Sequence, residues 1–109
     1  MPHIQNFHAH VYFDQATQSQ ATQLCQEAGR QFDLTVGRIH AKPVGPHPHW
    51  SCQLAFAPSM FGEVIPWLAL NRQGLVIFIH PQTGDDLKDH TDHAIWMGEV
   101  VPLNLEALQ

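Results

Sequence analysis

The stretch Asn6-Phe7-His8-Ala9-His10-Val11-Tyr12-Phe13 alternates without a break. Side chains of a strand point to opposite faces in turn, so Phe7, Ala9, Val11 and Phe13 share an apolar face and His8, His10 and Tyr12 share the other. This predicts a half-buried strand whose outer face carries two imidazoles and a phenol. Asp14 follows as a candidate N-cap, and Ala21, Leu24, Cys25, Ala28 and Phe32 recur at helical spacing through a segment otherwise rich in Gln and Thr. A surface helix ending near Gly29 is expected there. Leu34 to Ala41 reads as a second strand, and the three prolines of Pro43-Val44-Gly45-Pro46-His47-Pro48 mark a stiff loop. Trp50 to Ala57 alternates again and gives the third strand.

A second helix starts at Pro58-Ser59, with Phe61, Val64, Ile65 and Leu68 as its apolar stripe and Gly74 as its stop. Pro66 should kink it unless the regular part begins only near Val64. Leu75 to His80 is the fourth strand, its face of Val76, Phe78 and His80 opposite Leu75, Ile77 and Ile79. The segment Pro81 to His93 is a loop dense in Asp and His. Beyond it lie a short apolar stretch, Ala94 to Met97, and a tail, Val100 to Leu108, that reads as a strand or a frayed helix.

Strand, helix, strand occurs twice. The economical architecture is an α+β, ferredoxin-like split βαβ sandwich in one domain, residues 1–109, with both helices on one face of a four-stranded antiparallel sheet in the order 4-1-3-2. That order sets the first strand beside the fourth and brings His8, His10 and His80 together on the open face. By the same reasoning His40, His47 and His49 gather at the opposite end of the sheet. The open face, with Tyr12, Arg38, Ser51, Gln53 and Phe78 as well, needs cover, so a homodimer or a ligand cleft is expected.

Composition excludes several classes. The 109 residues carry 5 Lys plus Arg against 10 Asp plus Glu, a formal charge of −5, so neither nucleic acid nor an anionic membrane is an expected partner. No apolar run approaches a spanning helix, and Met1 to Asn6 lacks the order of a signal peptide, so a cytoplasmic location is expected. Cys25 and Cys52 read as buried free thiols. Dinucleotide, P-loop, nucleophile-elbow and zinc-protease motifs are absent, and Thr83-Gly84-Asp85-Asp86 lacks the ligand spacing of a calcium loop and reads as a turn. Trp50, Trp67 and Trp96 sit among apolar neighbours, which favours core packing over an aromatic pocket.

The unusual feature is nine histidines. Neutral imidazoles suit iron, zinc, copper or nickel, and Asp85, Asp86, Asp89 and Asp92 lie close enough in sequence to His80 to add a carboxylate. On geometry alone the expected ligand set is His8, His10 and His80, and His3 and His93 read as ordinary surface residues. Arg38 is a candidate partner for a substrate carboxylate, with Tyr12 beside it on the substrate-facing surface.

Phe7-His8-Ala9-His10-Val11-Tyr12-Phe13-Asp14, Val44-Gly45-Pro46-His47-Pro48, Trp67-Leu68-Ala69-Leu70-Asn71-Arg72 with Gly74-Leu75, and His80-Pro81 through Thr83-Gly84-Asp85, Asp89-His90 and Trp96-Met97-Gly98, in this order, resemble the DOPA 4,5-dioxygenase family. The resemblance spans about Asn6 to Glu99. It implies a ferredoxin-like fold, a dimer, and extradiol cleavage of a catechol such as 3,4-dihydroxyphenylalanine (DOPA) by O2 at non-haem Fe(II), with another divalent metal such as Zn able to occupy a purified sample. Carried over by position, it marks His10, His47, His80 and His90, and with His8, His10 and His80 as ligands it leaves His47 and His90 as second-layer or proton-transfer groups, that is, acid or base candidates. Two other readings stand beside it: a ferredoxin-like dimeric module that binds a small aromatic or a metal without turnover, and a metal-independent isomerase using Pro2 as an N-terminal amine.

Overall fold

The computed structural model describes residues 3–109; Pro2, and with it the isomerase reading, lies outside the described residues. Strand β1 (Asn6–Phe13) leads through α1 (Gln18–Gln31) to β2 (Thr35–His40) and β3 (Trp50–Phe56). A 3-10 turn, Pro58–Met60, precedes α2 (Phe61–Asn71) and β4 (Ile77–Gln82), and the chain ends with α3 (Asp86–Asp89), β5 (Ile95–Met97) and a 3-10 turn at Leu105–Leu108. One antiparallel sheet runs β2-β3-β1-β4-β5. The first four strands keep the expected order, but the sheet has five strands rather than four. The fifth is the short apolar stretch after the Asp- and His-rich segment, and at three residues it is too brief to show a period.

The alternation of β1 is realised. Phe7, Ala9, Val11 and Phe13 join Ala21, Leu24, Cys25 and Ala28 of α1 and Val64 and Leu68 of α2 in one core, together with Cys52, Leu54, Ile77 and Ile79 of the neighbouring strands. Both long helices therefore cover the same face. Cys25 and Cys52 are buried free thiols. Helix α1 starts four residues after Asp14, which instead closes a turn in which its carboxylate accepts from the backbone N–H and hydroxyl of Thr17. The helix also runs past Gly29, whose role is close approach: a Cβ there would lie 2.7 Å from Val36 Cγ2 of β2.

Helix α2 continues through Pro66 from Phe61. The carbonyl of Gly62 loses its usual donor, but Gly62 is exposed and water can serve it. Pro81 lies inside β4 where that strand has one neighbour only, since β5 pairs with Ile77, Phe78 and Ile79 and stops there. No helix among the described residues is long and apolar enough to cross a membrane.

Candidate metal centre

The site is built on the pleat of the two central strands. His8 and His80 are directly opposite across the β1–β4 ladder, and His10 faces Phe78 one step along. His10 Nε2 comes within 3.0 Å of His80 Nε2, and one ligand atom from each of His8, His10 and His80 can be chosen so that all three lie within 4.8 Å of one another. The three imidazoles expected to converge do converge. Among the described residues no carboxylate joins this group. Asp89 turns away to Thr83 and His93, and Asp85 accepts from the backbone N–H of Lys88 at the start of α3.

Two further imidazoles close over the strands. His47 belongs to this cluster and not to a separate group at the far end of the sheet: its ring centroid is 4.0 Å from that of His10. The expectation failed because the proline-rich loop folds back across the open face. A turn bonds the His47 N–H to the carbonyl of Val44, and the tail clamps the loop through the Asn104 N–H on the carbonyl of Pro46. His90, which ends α3, lies 4.1 Å from His80 between ring centroids. His40 reaches the cluster's side and borders the same cleft as His10 and His47, whereas His49 lies 5.6 Å from Tyr12 by ring centroids. A cleft of about 180 Å³ beside the cluster is lined by His10, His40, Val44, His47, Ser51 and Gln53, among others.

Hydrogen bonds assign several of the ring nitrogens. His80 Nδ1–H donates to the carbonyl of Pro81 at 2.9 Å, so its Nε2 carries the lone pair and faces His10. A second ring nitrogen tied to a carbonyl is the arrangement that orients metal-ligating histidines. His90 is held the same way, its Nδ1–H donating to the carbonyl of Asp86 at 2.7 Å. Tyr12 Oη lies 2.7 Å from His47 Nδ1. Burial holds the Tyr12 phenol well above its usual pKa, so it stays protonated and able to donate.

Burial, with the neighbouring imidazoles, lowers the pKa of His8 and puts His10 well below the ordinary value. Burial likewise brings His47 to about 4, helped by repulsion from His90, and His80 to about 4 despite the bond to Pro81. These nitrogens are therefore neutral at pH 7, as a metal ligand must be. The ligand atoms of His8, His10 and His80 lie close enough together that one ion would be within reach of all three. The donor set thus fits a divalent transition metal.

Phe78, fully buried, forms the floor of the cluster, with ring contacts to His10, His47, His80 and His90. Trp96 of β5 stacks on it at 4.5 Å and reaches Tyr12 edge-on at 6.2 Å. Core packing holds for Trp50 and Trp67 but not for Trp96, which joins the aromatic wall of the site. The sequence signal for this was the phase of Phe78, which shares its face with His80. Arg38 is exposed on the edge strand β2, where the pairing register shifts between Val36 and Ile39. It does not line the cleft beside His10.

The chain is similar to several known proteins. A crystal structure of a candidate dioxygenase from Nostoc punctiforme superposes with a TM-score of 0.94 at 47% identity, covering 96% of this chain and 91% of that one. A DOPA 4,5-dioxygenase of Amanita muscaria is 33% identical over 96% of this chain, and an uncharacterized 21.2 kDa protein of Botryotinia fuckeliana is 37% identical over 94%. The chain spans 50% and 63% of the length of those two relatives, respectively. The model of the Dopa 4,5-dioxygenase family matches residues 7–107, nearly the whole length. On the strength of that match and of the 47% identity over almost all of both chains, the protein belongs to the Dopa 4,5-dioxygenase family.

Proposed function

We propose that this protein is an extradiol dioxygenase that opens the ring of a catechol such as DOPA with O2 and non-haem iron, acting as a single-domain homodimer in the cytoplasm. The observation that carries the reading is the three-imidazole group on β1 and β4, with His80 already set in the tautomer of a ligand. In this reading His8, His10 and His80 hold the metal. Fe(II), when bound, supplies the site at which catechol oxygens and O2 meet, and Zn in the same place would serve only as a spectator. Three neutral ligands leave the charge of a divalent ion uncancelled, which favours an anionic oxygen ligand such as a catecholate.

The remaining groups bind, orient and move protons. Trp96, half-buried and stacked on Phe78, offers an aromatic surface against which a catechol ring stacks. His47 and His90 are the acid and base candidates, because their rings close over His10 and His80, where a second hydroxyl must lose its proton and a product oxygen must gain one. Tyr12, donating to His47 Nδ1, keeps the proton of that imidazole on Nε2. Arg38, exposed on β2 and outside the cleft beside His10, is kept in this reading as the partner of the carboxylate of an amino-acid catechol.

The test is anaerobic loading with Fe(II), then oxygen uptake and a visible spectrum on adding DOPA and other catechols. A yellow ring-fission product with one O2 consumed per catechol supports the reading. Bound iron without product from any catechol favours the second reading, a module that holds a small aromatic or a metal without turnover, which the cleft beside His10 would also serve. Absence of iron binding overturns both metal readings.

A further inference from the structure

A cleft of about 370 Å³, larger than the one beside His10, opens beside Phe7 and Phe61 near the start of α2. Phe7 points away from His8, so this cleft lies across the sheet from the imidazole cluster. Its walls are Ile4, Phe7, Phe61, Pro81 and Ile95, and its polar members are Thr83 and His93 alone. The volume falls in the range of small-molecule sites, which are apolar cavities with a few oriented polar groups.

Those two polar groups are oriented by one carboxylate. Asp89, 1% exposed, accepts from the Thr83 N–H at 2.7 Å, from the Thr83 hydroxyl at 2.7 Å and from His93 Nδ1–H at 2.9 Å. The only donor on the Thr83 side chain is thereby used. With Nδ1–H donated to Asp89, the neutral ring of His93 presents Nε2 as a lone pair. The cleft accordingly presents acceptors and no donor. Its occupant must be an apolar body that carries a hydroxyl.

We propose that this cleft is a second binding site, for a small phenol or alkylphenol, whose hydroxyl donates to His93 Nε2 while its ring and chain lie against Phe7, Phe61 and Ile95. The proposal is independent of the metal reading, since it uses none of the clustered imidazoles. A monophenol that does not chelate a metal is the proper probe, and 4-propylphenol against 4-propylanisole isolates the hydroxyl.

The experiment is a titration of the metal-free full chain, followed by methyl and indole NMR shifts. The expected result is that 4-propylphenol shifts the methyls of Ile4 and Ile95 and leaves the Trp96 indole unmoved, with the methyl ether binding roughly tenfold more weakly. His93→Phe keeps the apolar wall and should erase that preference, bringing the two affinities within about twofold. Ile95→Trp, at an exposed position outside the Asp89 network, should fill the cleft and abolish binding, so the test stands even where His93→Phe disturbs the loop. Equal affinity for phenol and ether, shifts centred on Trp96, or no binding at millimolar probe would overturn the proposal. So would a wild-type dimer that Ile95→Trp converts to monomer without phenol binding, which would give the cleft to a second copy of the chain.

Discussion

Lowering the pH of the metal-free protein from 7.5 to 5.0 should strip it of a large part of its stability before any carboxylate is involved. His47 and His80 are 7% and 3% exposed, and burial holds both at a pKa of about 4 against an ordinary value of 6.5. Between those two values the unfolded chain binds protons that the folded chain refuses, so stability falls as pH falls through the ordinary value and keeps falling until the folded value is reached. At pH 5.0 each of the two contributes a loss of about 2 kcal/mol relative to pH 7.5, and the pair about 4 kcal/mol if independent. His10, held lower still, adds in the same direction. A domain of this size has roughly 5–15 kcal/mol in total, so the loss decides whether it stays folded. The buried carboxylate Asp89, whose pKa lies below the ordinary value because the Thr83 and His93 hydrogen bonds outweigh its burial, is ionised in both states at pH 5.0 and cannot imitate the effect. Urea unfolding in the presence of a chelator, followed by tryptophan fluorescence over a pH series, measures it. His80→Asn preserves the bond to Pro81 and cannot protonate, and the loss between pH 7.5 and 5.0 should shrink by about 2 kcal/mol. A midpoint that stays flat over this range, or a slope unchanged in His80→Asn, would refute the claim that these imidazoles are buried and neutral.

Replacing His10 or His80 with Ala should abolish Fe(II) or Zn(II) uptake, measured by calorimetry under anaerobic conditions, while far-UV circular dichroism stays unchanged; full metal occupancy would remove that residue from the ligand set. Tyr12→Phe should leave metal uptake intact and lower catechol turnover by roughly 10–100-fold, as the loss of a group that orients another does, with kcat falling more than KM rises. Phe78→Ala should cost about 3–5 kcal/mol in urea unfolding and redden the emission of Trp96 by removing its stacking partner. Gly98→Ala should destabilise by about 1–2 kcal/mol, because Gly98 has φ +96° and an added Cβ would lie 2.9 Å from Arg72 Nη1; an unchanged midpoint would show that the turn relaxes.

Much of this architecture is legible in the chain itself, and the limits of legibility have physical causes. The period of two in β1, β3 and β4 is imposed by the pleat, so it yields the strands, their inner and outer faces, and the convergence of His8, His10 and His80. Local periodicity says nothing about where an irregular loop goes. His47 therefore reads as part of a distant group, although the turn at Val44 and the Asn104 contact with Pro46 carry it onto His10. Asp89 reads as one of several surface carboxylates, and its burial follows from three donors set by a turn and a single helical turn. Gly29 looks like a helix stop and is a contact with Val36 instead. Trp96 has apolar neighbours in sequence, yet β5 is an added edge strand whose pairing with Phe78 points the indole to the open face.

The division of labour between ladder and loops has a consequence for how such a protein can diversify. His8, His10 and His80 are spaced by backbone pairing in the two innermost strands, where any shift of register would move every neighbouring core residue to the wrong face. His47, His90 and Trp96 arrive on segments outside that ladder core, which tolerate insertion and exchange far better. A change of ligand is therefore expected to come from rewriting the segments around residues 41–49 and 83–97, while the sheet keeps the spacing at positions 8, 10 and 80.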